Sequence, residues 1–193
     1  MINNPEKELY DKVYADPAHA NYGHTNHGKN LVDEIRTFED EFPSSWLDVG
    51  CGHNELIKSI RDRKSIFKVK DSWGIDFSCP GADQNCDLLE LPFPDNRWDF
   101  ITAFDVLEHV LPEQVPFALK EMSRVSYRFA FTISFLKGCS IDGKTVHPTL
   151  WSPIVWREAI ESAGGIISKT ARLGNSPAIM YEAGFFLGKW TND

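Results

Sequence analysis

A short apolar segment that ends in a two-glycine turn constrains this chain more than any other feature. The segment occupies residues 46–54, with the sequence Trp-Leu-Asp-Val-Gly-Cys-Gly-His-Asn, and an amphipathic stretch follows it directly. Glycine at positions 50 and 52 allows positive φ angles and lets a ligand lie against the backbone, while the helix that follows offers free N–H groups at its start. The pattern predicts a buried strand that leads into a binding loop for an adenosine-containing cofactor.

The residue at position 55 distinguishes between two kinds of cofactor. A dinucleotide fingerprint, Gly-x-Gly-x-x-Gly, requires glycine or alanine there so that helix and strand pack closely, whereas this chain has Glu55. Asp48 and Glu55 would repel a pyrophosphate but tolerate a cofactor that carries an ammonium and a sulfonium. S-adenosylmethionine is such a cofactor.

From Asp48 onward, the chain resembles the class I S-adenosylmethionine-dependent methyltransferases, whose first motif is usually written Asp-x-Gly-x-Gly-x-Gly. Asn54 stands at the third glycine, and asparagine tolerates the left-handed backbone region better than most residues. Further motifs follow in the family's order, and the resemblance covers residues 28–188. These motifs are Ser-Trp-Gly-Ile-Asp-Phe at 72–77, Cys-Asp-Leu at 86–88 and Arg-Trp-Asp-Phe-Ile-Thr-Ala-Phe-Asp-Val-Leu-Glu-His-Val at 97–110.

The resemblance implies a set of cofactor contacts along these motifs. The acid at the end of the second strand, Asp76, accepts hydrogen bonds from both ribose hydroxyls, and Phe77 lies near the adenine. Asp87 and Leu88 contact the adenine, and the end of the fourth strand lines the methionine end. Each residue alone is also typical of a turn, a helix cap or a core position, so it is the order of the motifs that favours a site. The predicted cofactor-binding residues are Asp48, Gly50, Cys51, Gly52, Asn54, Asp76, Phe77, Asp87, Leu88, Ala103 and Phe104.

Strand and helix signals alternate along the chain beyond the glycine loop. They predict an α/β fold with a Rossmann-like, doubly wound, mostly parallel seven-stranded sheet and a C-terminal antiparallel hairpin, which is the topology of the family that the chain resembles. The signals are helices at 55–63 and 112–125, a fifth strand at 127–135, a long loop at 137–149, a helix capped by Ser152 with Pro153 at its first position, and β-like runs at 166–173 and 178–187 joined by the turn residues 174–177.

The length of 193 residues predicts a single methyltransferase domain, residues 1–193. Within it, residues 42–193 form the cofactor-binding core, and residues 1–41 form an N-terminal lid with a helix at 30–41. In the resembled family such N-terminal segments usually select the substrate, so Tyr22, His24 and His27 are candidates to close over the site. A flexible polar loop is the alternative, because Asn, Gly and His cluster in loops for conformational reasons alone.

A second cluster of polar residues follows the fourth strand, at Asp105, Glu108 and His109. A helix beginning near Asp105 would place all three on one face, and His147 lies in a loop at the same sheet edge. Carboxylates and imidazoles bind divalent metals, and the pattern resembles the metal site of small-RNA 2′-O-methyltransferases and ubiquinone-pathway O-methyltransferases. Many metal-independent relatives carry the same Leu-Glu-His, so we assign no metal ligand and predict that His109 or His147 is the catalytic general base.

The predicted activity is methyl transfer from S-adenosylmethionine, with S-adenosylhomocysteine as product, to an oxygen or nitrogen of a small molecule such as a sugar, a nucleotide or another metabolite. The net charge of −8 disfavours duplex nucleic acid. Two alternatives remain open: a metal-assisted 2′-O-type methyltransferase of RNA termini, and a noncatalytic S-adenosylmethionine-binding partner or regulator. Glu55 and the terminal hairpin disfavour a dehydrogenase. The sequence leaves the oligomeric state open.

The chain has neither a membrane-spanning apolar run nor the basic and apolar regions of a signal peptide at its N-terminus. These features predict a cytoplasmic protein with no membrane partner. The four cysteines show no paired C-x-x-C spacing, so we expect free thiols.

Overall fold

The computed structural model of the protein describes residues 5–19, 22–23, 31, 35, 42–63, 68–173 and 183–191. Three predicted features fall largely or wholly outside these ranges: His24 and His27, most of the helix predicted at 30–41, and the turn predicted at 174–177. Leu31 and Ile35 are described, and both are helical and buried. None of the described helices exceeds 11 residues, well short of the roughly 20 apolar residues that cross a bilayer.

A seven-stranded sheet organises the described core. Its strand order is β3-β2-β1-β4-β5-β9-β8, and all neighbouring pairs are parallel except the two that involve β9, which runs antiparallel to β5 and β8. The predicted fold class and the antiparallel C-terminal strands are therefore confirmed. The strands are β1 (Ser45–Val49), β2 (Asp71–Asp76), β3 (Gln84–Asn85), β4 (Trp98–Phe104), β5 (Ser126–Ser134), β8 (Gly165–Leu173) and β9 (Ala183–Trp190).

Both faces of this sheet are covered, which explains why most residues of the central strands β1, β4 and β5 are buried. Neighbouring residues of a strand point to opposite faces, so Trp46 and Leu47 belong to two different hydrophobic clusters. Helix α2 (Glu55–Asp62) packs with the Trp46 cluster, whereas α3 (Val115–Val125) and α4 (Pro153–Ser162) pack with the Leu47 cluster. The predicted Ser152 cap is present, because its Oγ accepts a hydrogen bond from the Val155 N–H at 3.4 Å.

Two segments outside the sheet contribute to the site. Helix α1 (Pro5–Ala15) and a 3₁₀ turn at Pro17–His19 precede the core. The loop predicted at 137–149 contains a small antiparallel hairpin made of β6 (Ser140–Ile141) and β7 (Lys144–Thr145).

The prediction of a helix that begins near Asp105 is wrong. Asp105 has a φ of 56°, in the left-handed region, which is incompatible with the first turn of an α-helix. Its N–H donates to the carbonyl oxygen and to Oγ1 of Thr132 in β5, both at 2.9 Å, so the chain is tied to the sheet edge there. A single 3₁₀ turn, Leu107–His109, follows in place of the helix.

A candidate cofactor site at the carboxyl edge of the sheet

A cavity of about 850 Å³ opens at the carboxyl ends of four parallel strands. The last residues of these strands all line it: Val49, Asp76, Phe104 and Ser134. The cavity spans the β1–β4 junction, where the strand order reverses. Ligands of doubly wound sheets bind at this switch point, and the volume lies within the usual range for small-molecule sites.

The glycine loop after β1 needs its glycines for two separate reasons. Gly50 and Gly52 have φ angles of 65° and 52°, where a side chain is strained. A Cβ at Gly50 would also collide with Val106, and one at Gly52 with the backbone of Gly23. Asn54 has a φ of 63°, so it adopts the left-handed conformation that the sequence suggested for it.

Asp76 is a fully engaged hydrogen-bond acceptor at the end of β2. Its Oδ1 accepts from the N–H groups of Ser78 at 2.9 Å and Cys79 at 2.8 Å. Its Oδ2 accepts from the Gly52 N–H at 3.0 Å and from the Tyr14 hydroxyl at 3.3 Å. Three of these donors are backbone groups that fix the carboxylate, whereas the fourth is the side-chain hydroxyl of Tyr14 in α1. Burial, together with the Asp76 charge, raises the pKa of Tyr14 well above its usual value, so the hydroxyl keeps its proton.

Asp48 lies buried beneath the glycine loop. Its Oδ1 accepts a 2.6 Å hydrogen bond from the Thr102 hydroxyl, which itself accepts from the Trp46 indole at 3.0 Å. Burial raises the pKa of Asp48 to about 7, the Asp76 charge acts in the same direction, and the Thr102 hydrogen bond opposes both. A cation bound next to this carboxyl would favour its ionised form.

Three residues that follow β4 and β5 in the chain come together in another part of the cavity wall. One ligand atom from each of Glu108, His109 and His147 lies within 4.8 Å of the other two, and the histidine rings are edge to face with centroids 4.6 Å apart. Asp105, which the sequence placed with them, is not part of this group. The difference arises because Asp105, with its left-handed φ of 56°, precedes the 3₁₀ turn that carries Glu108 and His109, so the three residues do not share one helix.

The environment of this group changes its acid–base properties. Burial raises the pKa of Glu108 to about 8, and the Asp105 charge adds to the shift. Burial lowers the pKa of His109 to about 4, and His147 contributes in the same direction. At neutral pH the His109 ring is therefore uncharged, and it is a weak proton acceptor.

Tyrosines from the N-terminal segment cover the cavity. Tyr10 and Tyr14 lie one turn apart on α1, and each packs against Tyr22, with ring centroids 6.4 and 5.6 Å away. The Tyr10 hydroxyl lies 2.9 Å from Nδ1 of His109, and the carbonyl of Gly23 accepts from the His53 N–H at 3.2 Å. Tyr22 is one of the residues expected to close over the site, whereas Tyr10 and Tyr14 are not, although their i, i+4 spacing places them on one helix face.

Eight of the eleven predicted cofactor residues line the cavity, as do both candidate general bases. Gly52 and Asn54 do not, because the first faces Gly23 and the second is buried at the start of α2. Ala103 is wholly buried in the core, so its predicted contact with the methionine end is not supported. The eight are Asp48, Gly50, Cys51, Asp76, Phe77, Asp87, Leu88 and Phe104.

The lining of the cavity is strongly acidic. The described residues that line it include six acidic side chains but only one lysine, Lys137, and no arginine. A lining of one sign concentrates the field and attracts ligands of the opposite charge. The six are Asp48, Glu55, Asp76, Asp87, Asp105 and Glu108.

The sheet is doubly wound, and β9, the last strand in the chain, runs antiparallel to its neighbours. A glycine loop and a buried acid lie at the switch point of this sheet. Together these features define the class of S-adenosylmethionine-dependent methyltransferases. The chain belongs to the methyltransferase-domain family, whose sequence profile matches residues 22–126, more than half of its length. The predicted class and cofactor are confirmed. A comparison of the sequence with curated proteins found no match.

Solved structures share the fold at low sequence identity. The Burkholderia thailandensis 1,6-didemethyltoxoflavin-N1-methyltransferase, solved with bound 1,6-didemethyltoxoflavin and S-adenosylhomocysteine, is 14% identical with a TM-score of 0.67, and the match covers 96% of this chain and 87% of that one. A methyltransferase from Clostridium acetobutylicum is 13% identical with a TM-score of 0.64, covering 95% and 98%. The Synechocystis magnesium protoporphyrin IX methyltransferase, with bound S-adenosylhomocysteine, is 14% identical with a TM-score of 0.60, covering 98% and 95%.

Proposed function

We propose that this protein transfers the methyl group of S-adenosylmethionine to an oxygen or nitrogen atom of a small molecule. The observation that carries the proposal is the single cavity in which the glycine loop and Asp76 face a carboxylate–imidazole group under a tyrosine cover. Methyl transfer from a sulfonium is an in-line displacement, so the protein has mainly to align the two reactants. One cavity that holds both satisfies this requirement.

The cofactor side of the cavity is the side formed by β1, β2 and the segment after β3. In our proposal Asp76 binds the ribose hydroxyls, and Asp48 faces the positively charged methionine end. Phe77, Asp87 and Leu88 surround the adenine. The acidic lining supports this arrangement, because S-adenosylmethionine carries an ammonium and a sulfonium.

The acceptor side is the side formed by Tyr10, Tyr22, His109 and His147. Aromatic rings and imidazoles suit a small ring system or a sugar, which can stack and hydrogen-bond there. The Burkholderia thailandensis enzyme and the Synechocystis enzyme, which share the fold, act on ring compounds by name. The negative charge of the cavity and of the whole chain disfavours a polyanionic acceptor such as an RNA terminus.

Calorimetric titration with S-adenosylhomocysteine tests the cofactor part of the proposal. We expect saturable binding by the wild type, at least about tenfold weaker in Asp76→Asn, because an amide replaces an ionic acceptor of the ribose hydroxyls. Asp62→Asn is the matched control, since Asp62 is exposed and does not line the cavity. Thermal unfolding confirms that both variants fold. Absence of binding by the wild type would contradict the proposal.

The acceptor part is tested with a mixture of small hydroxylated and aminated ring compounds and radiolabelled S-adenosylmethionine. Label in a low-molecular-weight product supports a small-molecule acceptor. Transfer to added RNA alone would overturn it in favour of the RNA-terminus alternative. Cofactor binding without transfer to any acceptor would favour a noncatalytic binding protein.

A further inference from the structure

Glu108 is a buried acidic side chain, and only one of its two carboxyl oxygens accepts a hydrogen bond from a described residue. The residue is wholly inaccessible to solvent, yet it lines the cavity. Its Oε1 accepts a 2.8 Å hydrogen bond from the Ser134 N–H, whereas Oε2 has no hydrogen-bond partner among the described residues. No described lysine or arginine forms an ion pair with it either. A buried polar atom without a partner is costly, so its retention points to a ligand.

The two histidines beside Glu108 are oriented by backbone carbonyls. Nδ1 of His109 lies 2.6 Å from the carbonyl oxygen of Val146, and Nδ1 of His147 lies 2.7 Å from that of Leu136. A nitrogen this close to a carbonyl carries the proton and donates it. In a neutral ring the lone pair then resides on Nε2. Metal-binding histidines are commonly fixed in this way, with the second nitrogen donating to a carbonyl or a carboxylate.

The three ligand atoms of Glu108, His109 and His147 lie near enough to one another to contact one metal ion after a small movement. These atoms all lie within 4.8 Å of one another. Metal–ligand bonds of about 2.1 Å at tetrahedral angles place neighbouring ligands about 3.4 Å apart, so the side chains need to draw together by up to about 1.4 Å. Two imidazoles and one carboxylate suit zinc, iron, cobalt and manganese, and three protein ligands leave positions open for another molecule.

We propose that Glu108, His109 and His147 bind a divalent transition-metal ion at the acceptor side of the cavity, where the ion also binds a hydroxyl oxygen of the methyl acceptor. The acidic lining favours a cation at this place. The metal part of the proposal stands on the geometry alone, and the acceptor part rests on the proposed methyl transfer. Both histidines then act as ligands instead of general bases.

This assignment narrows the acceptor to an oxygen nucleophile. A hydroxyl bound to a divalent ion loses its proton to water more readily, which leaves an oxygen anion. A lone pair of that oxygen forms the new C–O bond while the C–S bond breaks and its electron pair returns to sulfur. The products are a methyl ether and S-adenosylhomocysteine.

Titration of EDTA-treated protein with Co²⁺, followed by visible absorption, tests the site without any assay of activity. We expect the wild type to bind one ion per chain with a saturable ligand-field spectrum. His147→Ala and Glu108→Gln should each weaken binding at least about tenfold and change the spectrum. Asp105→Asn is the matched control, because this neighbouring carboxylate is outside the group and asparagine tolerates its left-handed backbone.

Equal Co²⁺ binding by the wild type and both ligand variants would overturn the proposal, as would loss of binding in Asp105→Asn alone. Titration of the metal-free protein with S-adenosylhomocysteine separates this failure from failure of the proposed function. Cofactor binding without a metal spectrum removes only the metal site. A metal spectrum without cofactor binding removes only the methyltransferase proposal. Thermal unfolding of each variant shows that a loss of binding is not a loss of fold.

Discussion

The cofactor side and the acceptor side of the cavity are built in different ways. The cofactor side comes from two short stretches of chain, 48–55 and 76–88, in which each motif follows a parallel strand. The acceptor side joins Tyr10, His109 and Val146, although 99 and 37 residues separate His109 from the other two. Local motifs therefore identify the first side, whereas the second exists only after the whole chain has folded.

The largest expected effect is on the cofactor side, from Gly50→Ala. A non-glycine residue in the left-handed region costs about 1–2 kcal/mol, and here the new Cβ also collides with Val106. We expect affinity for S-adenosylhomocysteine to fall on the order of 100-fold, which corresponds to about 2.7 kcal/mol. Calorimetry measures it.

Gly143→Ala is the matched control for this substitution. Gly143 also has a positive φ, of 79°, but a Cβ there meets no atom within 4 Å. The control carries the backbone strain without the collision and lies in the β6–β7 turn. Similar losses of affinity in both variants would show that the Gly50 loop does not shape the cofactor site.

The next effect depends on pH and concerns Asp48. Its pKa is raised to about 7, so below pH 7 the carboxyl of the free protein is mostly protonated. The cationic cofactor favours the ionised form, and binding therefore releases a proton. We expect affinity for S-adenosylmethionine to rise up to about tenfold per pH unit below pH 7 and to level off above it.

Asp48→Asn should abolish this pH dependence. Calorimetry in two buffers with different ionisation enthalpies counts the protons released at pH 6. A dependence that persists in Asp48→Asn would assign the proton to another group of the acidic lining.

A smaller effect on cofactor affinity is expected from a change in the tyrosines that cover the cavity. Tyr14→Phe keeps the ring but removes the hydroxyl that donates to Asp76 Oδ2. Because the ribose needs that acceptor, we expect S-adenosylhomocysteine to bind a few-fold more tightly, within the roughly 0.5–1.5 kcal/mol of one hydrogen bond. Weaker binding would show that the hydroxyl contacts the cofactor itself.

The smallest effect on cofactor affinity is expected from Tyr10→Phe, on the acceptor side. The lost hydroxyl lies 2.9 Å from His109 Nδ1 and donates to the Val146 carbonyl at 3.4 Å. We expect urea unfolding to show a loss of about 0.5–1.5 kcal/mol, with cofactor affinity unchanged within about twofold. A large loss of cofactor affinity would mean that the two sides of the cavity are not separable.

The strands and the cofactor motifs could be predicted from sequence because their signals are local. Alternating apolar runs and helix patterns predicted the sheet and its antiparallel end, and the glycine loop and Asp76 occupy the expected strand ends. The helix expected from Asp105 failed for a tertiary reason. Two hydrogen bonds to Thr132 hold the Asp105 backbone in the left-handed region, and no local pattern reveals a partner 27 residues away.

The doubly wound sheet, the loop conformation that requires Gly50 and the class of cofactor follow from the sequence, since each depends on residues near one another in the chain. The tertiary structure alone decided the acceptor side. Packing buries Glu108 with no hydrogen-bond partner for Oε2 among the described residues, places two imidazoles beside it and brings Tyr10 of α1 into contact with His109. Burial and proximity arise from packing between distant segments, and these two quantities set the charge and ligand chemistry of such a group.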